Sequence, residues 1–312
     1  MKVLFVCSGN RNNGPSEVVL NQYDSLVKEG LQMDIYTIKG RGLLGYLKNI
    51  SPLRKKIKTN NYDIIHAHYS LTGIIAGLAY AGPLVVSLMG SDAHLSGLLK
   101  RATLYSHRKF WNITILKSVE MNDHLKLNSY FLLPNGVDTE RFKPMDKNES
   151  KKRLNFRREE KIVVFVANPS REEKNYKLAE DSVALTKTQN IKLIPVFNIP
   201  NKEIPTYLNA ADVLILTSKY EGSVNVVKEA MACNTPIVST DVGDVKKNIS
   251  GLMNCYLTQS NSEQIAQKID AVLSDSNRSN GREQIFKRQL DSVSVAKQLI
   301  ETYKRQLCKE QS

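Results

Sequence analysis

Short runs of β-branched and other apolar residues alternate with longer stretches of helical period along the whole chain. The runs Val3 to Cys7, Asp34 to Ile38, Asp63 to His66, Leu84 to Leu88, Asn112 to Ile115 and Tyr130 to Leu133 predict the strands of a first half. Ile162 to Ala167, Lys192 to Phe197, Asp212 to Leu216, Pro236 to Ser239 and Cys255 to Leu257 repeat that style in a second half. Helical stretches such as Ser16 to Lys28 and Leu178 to Thr188 lie between them, and strands separated by helices imply βαβ units, hence parallel sheets covered on both faces. The expected fold is α/β, with two doubly wound domains in series. A helical tail from Ser292 to about Cys308 has no strand after it.

The turn signal Pro134-Asn135-Gly136-Val137-Asp138 and the polar, charged stretch from Lys143 to Lys161 mark the boundary between the halves and predict a hinge there. The domains are therefore placed at residues 1–145 and 146–291, followed by a terminal helix at 292–312. Ligands of open α/β sheets bind beyond the carboxyl ends of the strands, so two such domains should enclose a cleft, and the motifs should follow strands.

Composition narrows the class. A chain of 312 residues with 41% hydrophobic and 24% charged residues is globular rather than disordered or fibrous. The four cysteines, Cys7, Cys233, Cys255 and Cys308, show no paired spacing and read as reduced thiols rather than a zinc or disulfide framework. The first apolar run is too short for a secretory signal, and no window approaches the roughly 20 apolar residues of a membrane span, so a cytoplasmic chain is expected. The formal net charge of +13 attracts nucleic acid, anionic lipid and phosphorylated substrates alike. Nucleic acid is not the expected partner, because no DNA- or RNA-reading motif occurs.

Candidate chemistry follows the strands. Gly9 to Gly14 and Ser16 are spaced like a P-loop, but Pro15 stands where that motif needs lysine, which argues against a P-loop ATPase. What remains is a glycine-bearing turn that presents backbone N–H groups to an anion or a sugar, or simply connects. His66 and His68 share one face of a strand end, either as a metal pair lacking a third ligand or as packed, hydrogen-bonded side chains at a cleft rim. No Asp-x-Asp pair occurs, which removes the usual carboxylate grip on a nucleotide-bound cation, so neither metal nor other cofactor is expected.

The most informative stretch is Tyr220 to Ala232. Glu221, Gly222 and Ser223 form a loop before a helix, leaving the N–H groups of Val224, Asn225 and Val226 to face the cleft, an arrangement suited to a diphosphate. Glu221 outside the helix and Glu229 in its second turn are placed to accept hydrogen bonds from two different sugar rings; a helix cap with a solvated glutamate fits the pattern equally. After the first strand of the second half, Arg171 and Lys174 sit three apart at a helix start, aimed at a departing diphosphate or forming a solvated loop.

Three separated motifs in fixed order, Leu133 to Phe142, the Glu221/Glu229 spacing, and Ala230 to Asp244, resemble the retaining GT-B glycosyltransferases of family 4. The Asn168 to Asn175 segment and the Leu88-Met-Gly-Ser-Asp92 loop further resemble a subgroup that builds bacterial surface polysaccharides. The resemblance implies two Rossmann-like domains facing a central cleft, with the terminal helix packing back on the first. It implies a nucleotide-diphospho-sugar donor, with Glu229 on the ribose, Glu221 on the donor sugar, and Lys174 with the backbone of Ser223, Val224, Asn225, Val226 and Val227 on the diphosphate. Many members carry the phosphate-binding arginine where this chain has Pro169, so Arg171 is the displaced candidate. The acceptor, a glycan or an undecaprenyl-diphosphate-linked glycan, would lie near Gly14, Gly90 and Asp92, with His66 and His68 at the cleft. Met89 stands where many members have histidine, which removes a polar contact unless His66, His68 or His94 supplies it.

Arg41, Lys48, Arg54, Lys55, Lys56, Lys58, Lys100, Arg101, Arg108 and Lys109 are interleaved with Leu43, Leu44, Tyr46, Leu47, Phe110 and Trp111, a mixture that suits docking on an anionic membrane or forms solvated helix faces. Two other readings stay open: a nucleotide-sugar epimerase on the same fold, and a binder of sugar or nucleic acid without turnover.

Overall fold

The computed structural model describes residues 1–10, 14–275 and 277–311, with residues 43, 310 and 311 described in backbone only. The chain divides into two compact units, one formed by Met1 to Gly136 with the chain from Ser292 onward, the other by Val137 to Asp291.

The first unit is built on a parallel sheet of strands β1 (Lys2–Ser8), β2 (Gln32–Ile38), β3 (Ile64–His68), β4 (Leu84–Ser87), β5 (Ile113–Leu116) and β6 (Phe131–Leu132), in the order β2-β1-β3-β4-β5-β6. Central β1 is covered on both faces, which is why Val3 to Cys7 form an unbroken apolar run rather than an alternating one. On one face Leu4, Val6, Ile65 and Val86 pack against Leu53, Ile75 and Ala76 of the flanking helices. On the other, Val3, Phe5, Ile64, Val85 and Ile115 meet Val19 and Leu26 of the helix Glu17–Lys28 and Val295, Leu299 and Tyr303 of the last helix, Ser292–Gln311. The spacing of Val295, Leu299 and Tyr303 at four residues gives that helix a single apolar stripe, fully consumed by this face.

The second unit repeats the plan with β7 (Lys161–Phe165), β8 (Ile191–Pro195), β9 (Val213–Leu216), β10 (Ile237–Thr240) and β11 (Cys255–Thr258), parallel and ordered β11-β10-β9-β7-β8. Each sheet reverses its strand order once, between β1 and β3 and between β7 and β9. Such a switch point splays the two following loops apart and opens a crevice at the strand ends.

The division falls after Gly136 rather than at residue 145, and the segment from Lys143 to Lys161 is an anchored part of the second unit rather than a hinge. Phe142 lies in that unit's core, and Arg282 donates to the carbonyls of Phe142 (2.9 Å) and Thr139 (3.1 Å). Lys151 and Glu160 are buried there, Lys151 beside Asp212 at 3.6 Å and Glu160 paired with Arg157 and Lys192 at 2.9 and 2.7 Å. Burial in partnership is what a charged composition does not reveal.

Candidate functional site

At the switch point of the second sheet, the loops after β7 and β9 are tied together by hydrogen bonds to the backbone of the first loop. Thr217 Oγ1 donates to the carbonyls of Lys174 (3.1 Å) and Asn175 (2.9 Å), and the Lys219 N–H donates to the carbonyl of Glu173 (2.8 Å). This brings Lys174 onto Glu221, 47 residues away in sequence, as an ion pair between Nζ and Oε1. Ser218 Oγ donates to the same oxygen at 2.8 Å. The two charged side chains are 14% and 17% exposed, so the pair is sheltered yet reachable. Glu221 is thereby held as a hydrogen-bond acceptor of fixed orientation. Arg171 does not join them: its guanidinium turns to Glu173, Nε to Oε1 2.7 Å, and is half exposed.

The loop from Glu221 leads into the helix Asn225–Ala232, which Val227, Ala230 and Met231 anchor in the core. Val227 contributes packing, and Asn225 and Val226 lie half-buried at the first turn. The Val224 N–H is not open to a ligand as the sequence suggests, because it donates to Asp244 Oδ1 (2.9 Å), while Ser223 Oγ donates to Asp244 Oδ2 (2.7 Å). A carboxylate from the neighbouring loop thus caps this helix in place of a side chain of its own. Gly243, at φ 52°, makes that approach possible: a Cβ there would stand 2.1 Å from the Gly222 carbonyl oxygen. Lys228 lies inside the apolar helix, 1% exposed, and its Nζ donates to Ser223 Oγ at 2.8 Å. Burial lowers its ammonium pKa, against the pull of Asp244 and Glu229. Burial pushes the Glu229 carboxyl up to about 7, against Lys228 and Arg141.

Ser218, Lys228, Asp244 and Arg141 are the members of this arrangement that sequence reasoning passed over. A lysine within the apolar run Val224 to Ala232 was the available signal, since a buried ammonium demands partners.

In the first unit, Gly14 is open, with nothing within 4 Å of a Cβ built on it; positions 11–13 of its turn lie outside the described residues. His66 and His68 are not at a rim. Both are wholly buried with rings stacked at 4.4 Å, and His66 contacts Tyr303 Oη (2.5 Å) and Ser87 Oγ (2.8 Å) while His68 contacts Gln22 Oε1 (2.9 Å). Burial, with Lys117 nearby, pushes the His68 pKa down to about 3 and that of His66 well below its usual value, so both are neutral interior groups. They do not stand in for the histidine missing at Met89, which is itself buried. The Asp92 carboxylate, proposed for the acceptor, is used internally: it accepts from Ser70 Oγ (2.7 Å), Ser70 N (3.2 Å) and Met89 N (2.8 Å), pinning the helix Ser70–Leu78 to the turn that begins at Gly90.

Of the apolar residues interleaved with basic ones, Leu44 (75%) and Leu47 (36%) are exposed, whereas Trp111 is buried and donates to the Gly73 carbonyl at 3.1 Å. The side chain of Leu43 lies outside the described residues. No helix among the described residues is long and apolar enough to cross a membrane.

Residues 157–275 match the family model described as Glycosyl transferases group 1, and residues 14–117 that described as Glycosyl transferase 4-like. Similar proteins include TuaC of Bacillus subtilis, named for a glycosyltransferase role in teichuronic acid biosynthesis, 26% identical over 235 residues that cover 66% of this chain and 60% of TuaC. Another is the D-inositol 3-phosphate glycosyltransferase of Mycobacterium marinum, 25% identical over 272 residues that cover 68% of this chain and 56% of that protein. The chain thus spans about 60% of the length of these relatives. Among solved structures, sucrose-phosphate synthase from Thermosynechococcus elongatus superposes with a TM-score of 0.79 at 16% identity over 99% of this chain and 100% of its own. Alr3699/HepE of Anabaena, solved with UDP-glucose, gives 0.78 at 18% identity over 98% of this chain and 100% of its own. These superpositions establish the fold, with its two Rossmann-like units.

Proposed function

The chain belongs to the glycosyl transferases of group 1, with the GT-B fold, and from that premise we propose that it moves a sugar from a nucleotide-diphospho-sugar donor to a glycan acceptor, with retention at the anomeric carbon and without a metal ion. The observation that carries the reading is the Lys174–Glu221 pair, fixed by Ser218 at the switch point and followed directly by the start of the 225–232 helix. Glu221, already an acceptor, takes hydrogen bonds from donor-sugar hydroxyls. Lys174 and the first backbone N–H groups of the helix hold the diphosphate and stabilise the charge that grows on it as it leaves. Glu229, in the helix's second turn, takes the ribose hydroxyls. In this reading no side chain forms a covalent intermediate: the acceptor hydroxyl attacks from the face that the diphosphate leaves, passing its proton to the departing phosphate oxygen, so configuration is retained and the rate comes from positioning and leaving-group stabilisation.

A UDP-sugar is the favoured donor class, supported by the complex of HepE with UDP-glucose. The acceptor is proposed to be a lipid-diphosphate-linked glycan of a bacterial surface polysaccharide, reached from an anionic membrane surface; Leu44 and Leu47 exposed among Arg41 and Lys48, together with the likeness to TuaC, support this. In this division of labour the second unit takes the donor and the first the acceptor. The test is calorimetric binding of UDP-, GDP- and ADP-sugars with and without EDTA, followed by transfer assays on Glu221→Ala. One nucleotide sugar should bind unaffected by EDTA, and the variant should lose transfer while staying folded. Binding abolished by EDTA would overturn the metal-free part, and conversion of the donor to an epimer with no acceptor present would replace transfer by epimerisation.

A further inference from the structure

A carboxylate is an unexpected cap for a helix start that is to receive an anion. Asp244 is 7% exposed and brings its charge to the Val224 N–H, next to the first turn of the 225–232 helix, where that helix's partial positive charge is concentrated and where a diphosphate would arrive. Lys228 is equally out of place by ordinary rules. A lysine in the second turn of a helix directs its stem back toward the N-terminus, where a cation opposes the helix dipole, and this one is also buried. The two anomalies resolve each other through Ser223, whose Oγ accepts from Lys228 Nζ at 2.8 Å and donates to Asp244 Oδ2 at 2.7 Å.

We propose that Lys228 is the buried counter-ion of Asp244, and that by cancelling this charge it keeps the start of the helix receptive to the donor's diphosphate. The inference rests on the donor-binding reading above. Asp244 then positions the Ser223–Val224 backbone, as a neutral cap would, without repelling the ligand. Lys228 touches no reacting atom in this scheme; it is a positioning residue acting through Ser223 and Asp244.

The test compares UDP with uridine, which has the same base and ribose but no phosphate, on Lys228→Met, Asp244→Asn and the double variant, with thermal melting to confirm folding. Loss of the ammonium leaves a buried anion at the helix start where the diphosphate is to bind, so Lys228→Met should lower the ratio of UDP to uridine affinity at least roughly tenfold; the loss of Lys228's pull on Glu229 acts on the ribose common to both ligands and cancels in that ratio. The double variant, with neither charge, should recover most of the wild-type ratio of UDP to uridine affinity. Asp244→Asn removes the charge, so its ratio of UDP to uridine affinity should hold or rise even where the altered cap weakens both ligands, which keeps the proposal testable if Lys228→Met does not fold. A role for Lys228 in merely bracing the loop predicts otherwise: uridine and UDP would weaken together, and the double variant would be no better than the single. Either of those results, or a fall in the UDP-to-uridine ratio of Asp244→Asn, overturns the proposal. Failure of the wild-type protein to bind UDP or any UDP-sugar would instead overturn the donor reading on which it stands.

Discussion

The carboxyl of Glu229 gives the donor reading a pH signature. Burial raises its pKa to about 7 in the free protein, with Lys228 and Arg141 pulling the other way. A carboxylate accepts two ribose hydroxyls, whereas the protonated acid spends one oxygen as a donor, so only the ionised form makes the full contact. Binding then competes with protonation, and the apparent Kd scales as one plus the ratio of protonated to ionised Glu229. For a pKa of about 7 the apparent Kd is raised about elevenfold at pH 6, about twofold at pH 7 and by only about a tenth at pH 8. UDP-glucose is the right ligand, because its diphosphate is esterified at both ends and carries no proton that titrates near neutrality. His66 and His68 stay neutral across this window, since burial holds their pKa values far below it. Calorimetry at pH 6, 7 and 8 reads the slope directly, and affinity should strengthen as pH rises, with proton release on binding at pH 6. Glu229→Gln should abolish the slope and bind at pH 8 roughly tenfold or more weakly, through loss of charge-assisted hydrogen bonds. A pH-independent wild-type Kd, or a slope that survives in Glu229→Gln, would refute the assignment of the ribose to this residue.

How much of this was legible in advance differs by element, for physical reasons. The central strands announced themselves, because β1 and β7 are buried on both faces and their apolar runs have no polar interruptions. That the loops of Lys174 and Glu221 lie at one end of the sheet was legible too, because both follow strands of a βαβ topology; the ion pair between the two side chains was not. Rotation within a loop was not, so Arg171, three residues from Lys174, pairs with Glu173 instead. The histidines show the limit most plainly. Alternation along β3 put His66 and His68 on one face, and their rings do stack, but that face is closed by Tyr303, 237 residues from His66. The same limit moved the unit boundary, since Phe142 and Thr139 are claimed by Arg282 from the far end of the second unit. Asp92 ended as a structural carboxylate because its acceptors were taken by Ser70 and Met89, contacts that depend on how β3 and β4 lie side by side.

Glu221→Gln keeps the size of the side chain but gives up the charge facing Lys174, so kcat in a transfer assay should fall at least about a hundredfold with the fold intact, and a loss under threefold would remove Glu221 from the chemistry. Leu299→Ala truncates a fully buried side chain of the last helix and should lower unfolding free energy by roughly 2 to 5 kcal/mol in urea titration, while a loss well under 1 kcal/mol would show that this helix does not complete the core of the first unit. Gly243→Ala should be the most damaging of the small changes to donor binding. The added methyl would stand 2.1 Å from the Gly222 oxygen and 3.0 Å from its carbonyl carbon, and because both are backbone atoms and φ is 52°, neither a rotamer change nor a side-chain shift relieves it. The loop from Glu221 to Val224 must move, and with it Asp244's hold on the Val224 N–H. A variant that stays folded by circular dichroism should therefore lose UDP-glucose affinity by roughly a hundredfold or more, since misplacement of the loop by an ångström breaks several contacts at once. Wild-type affinity in that folded variant would mean that the donor is held elsewhere than at this loop.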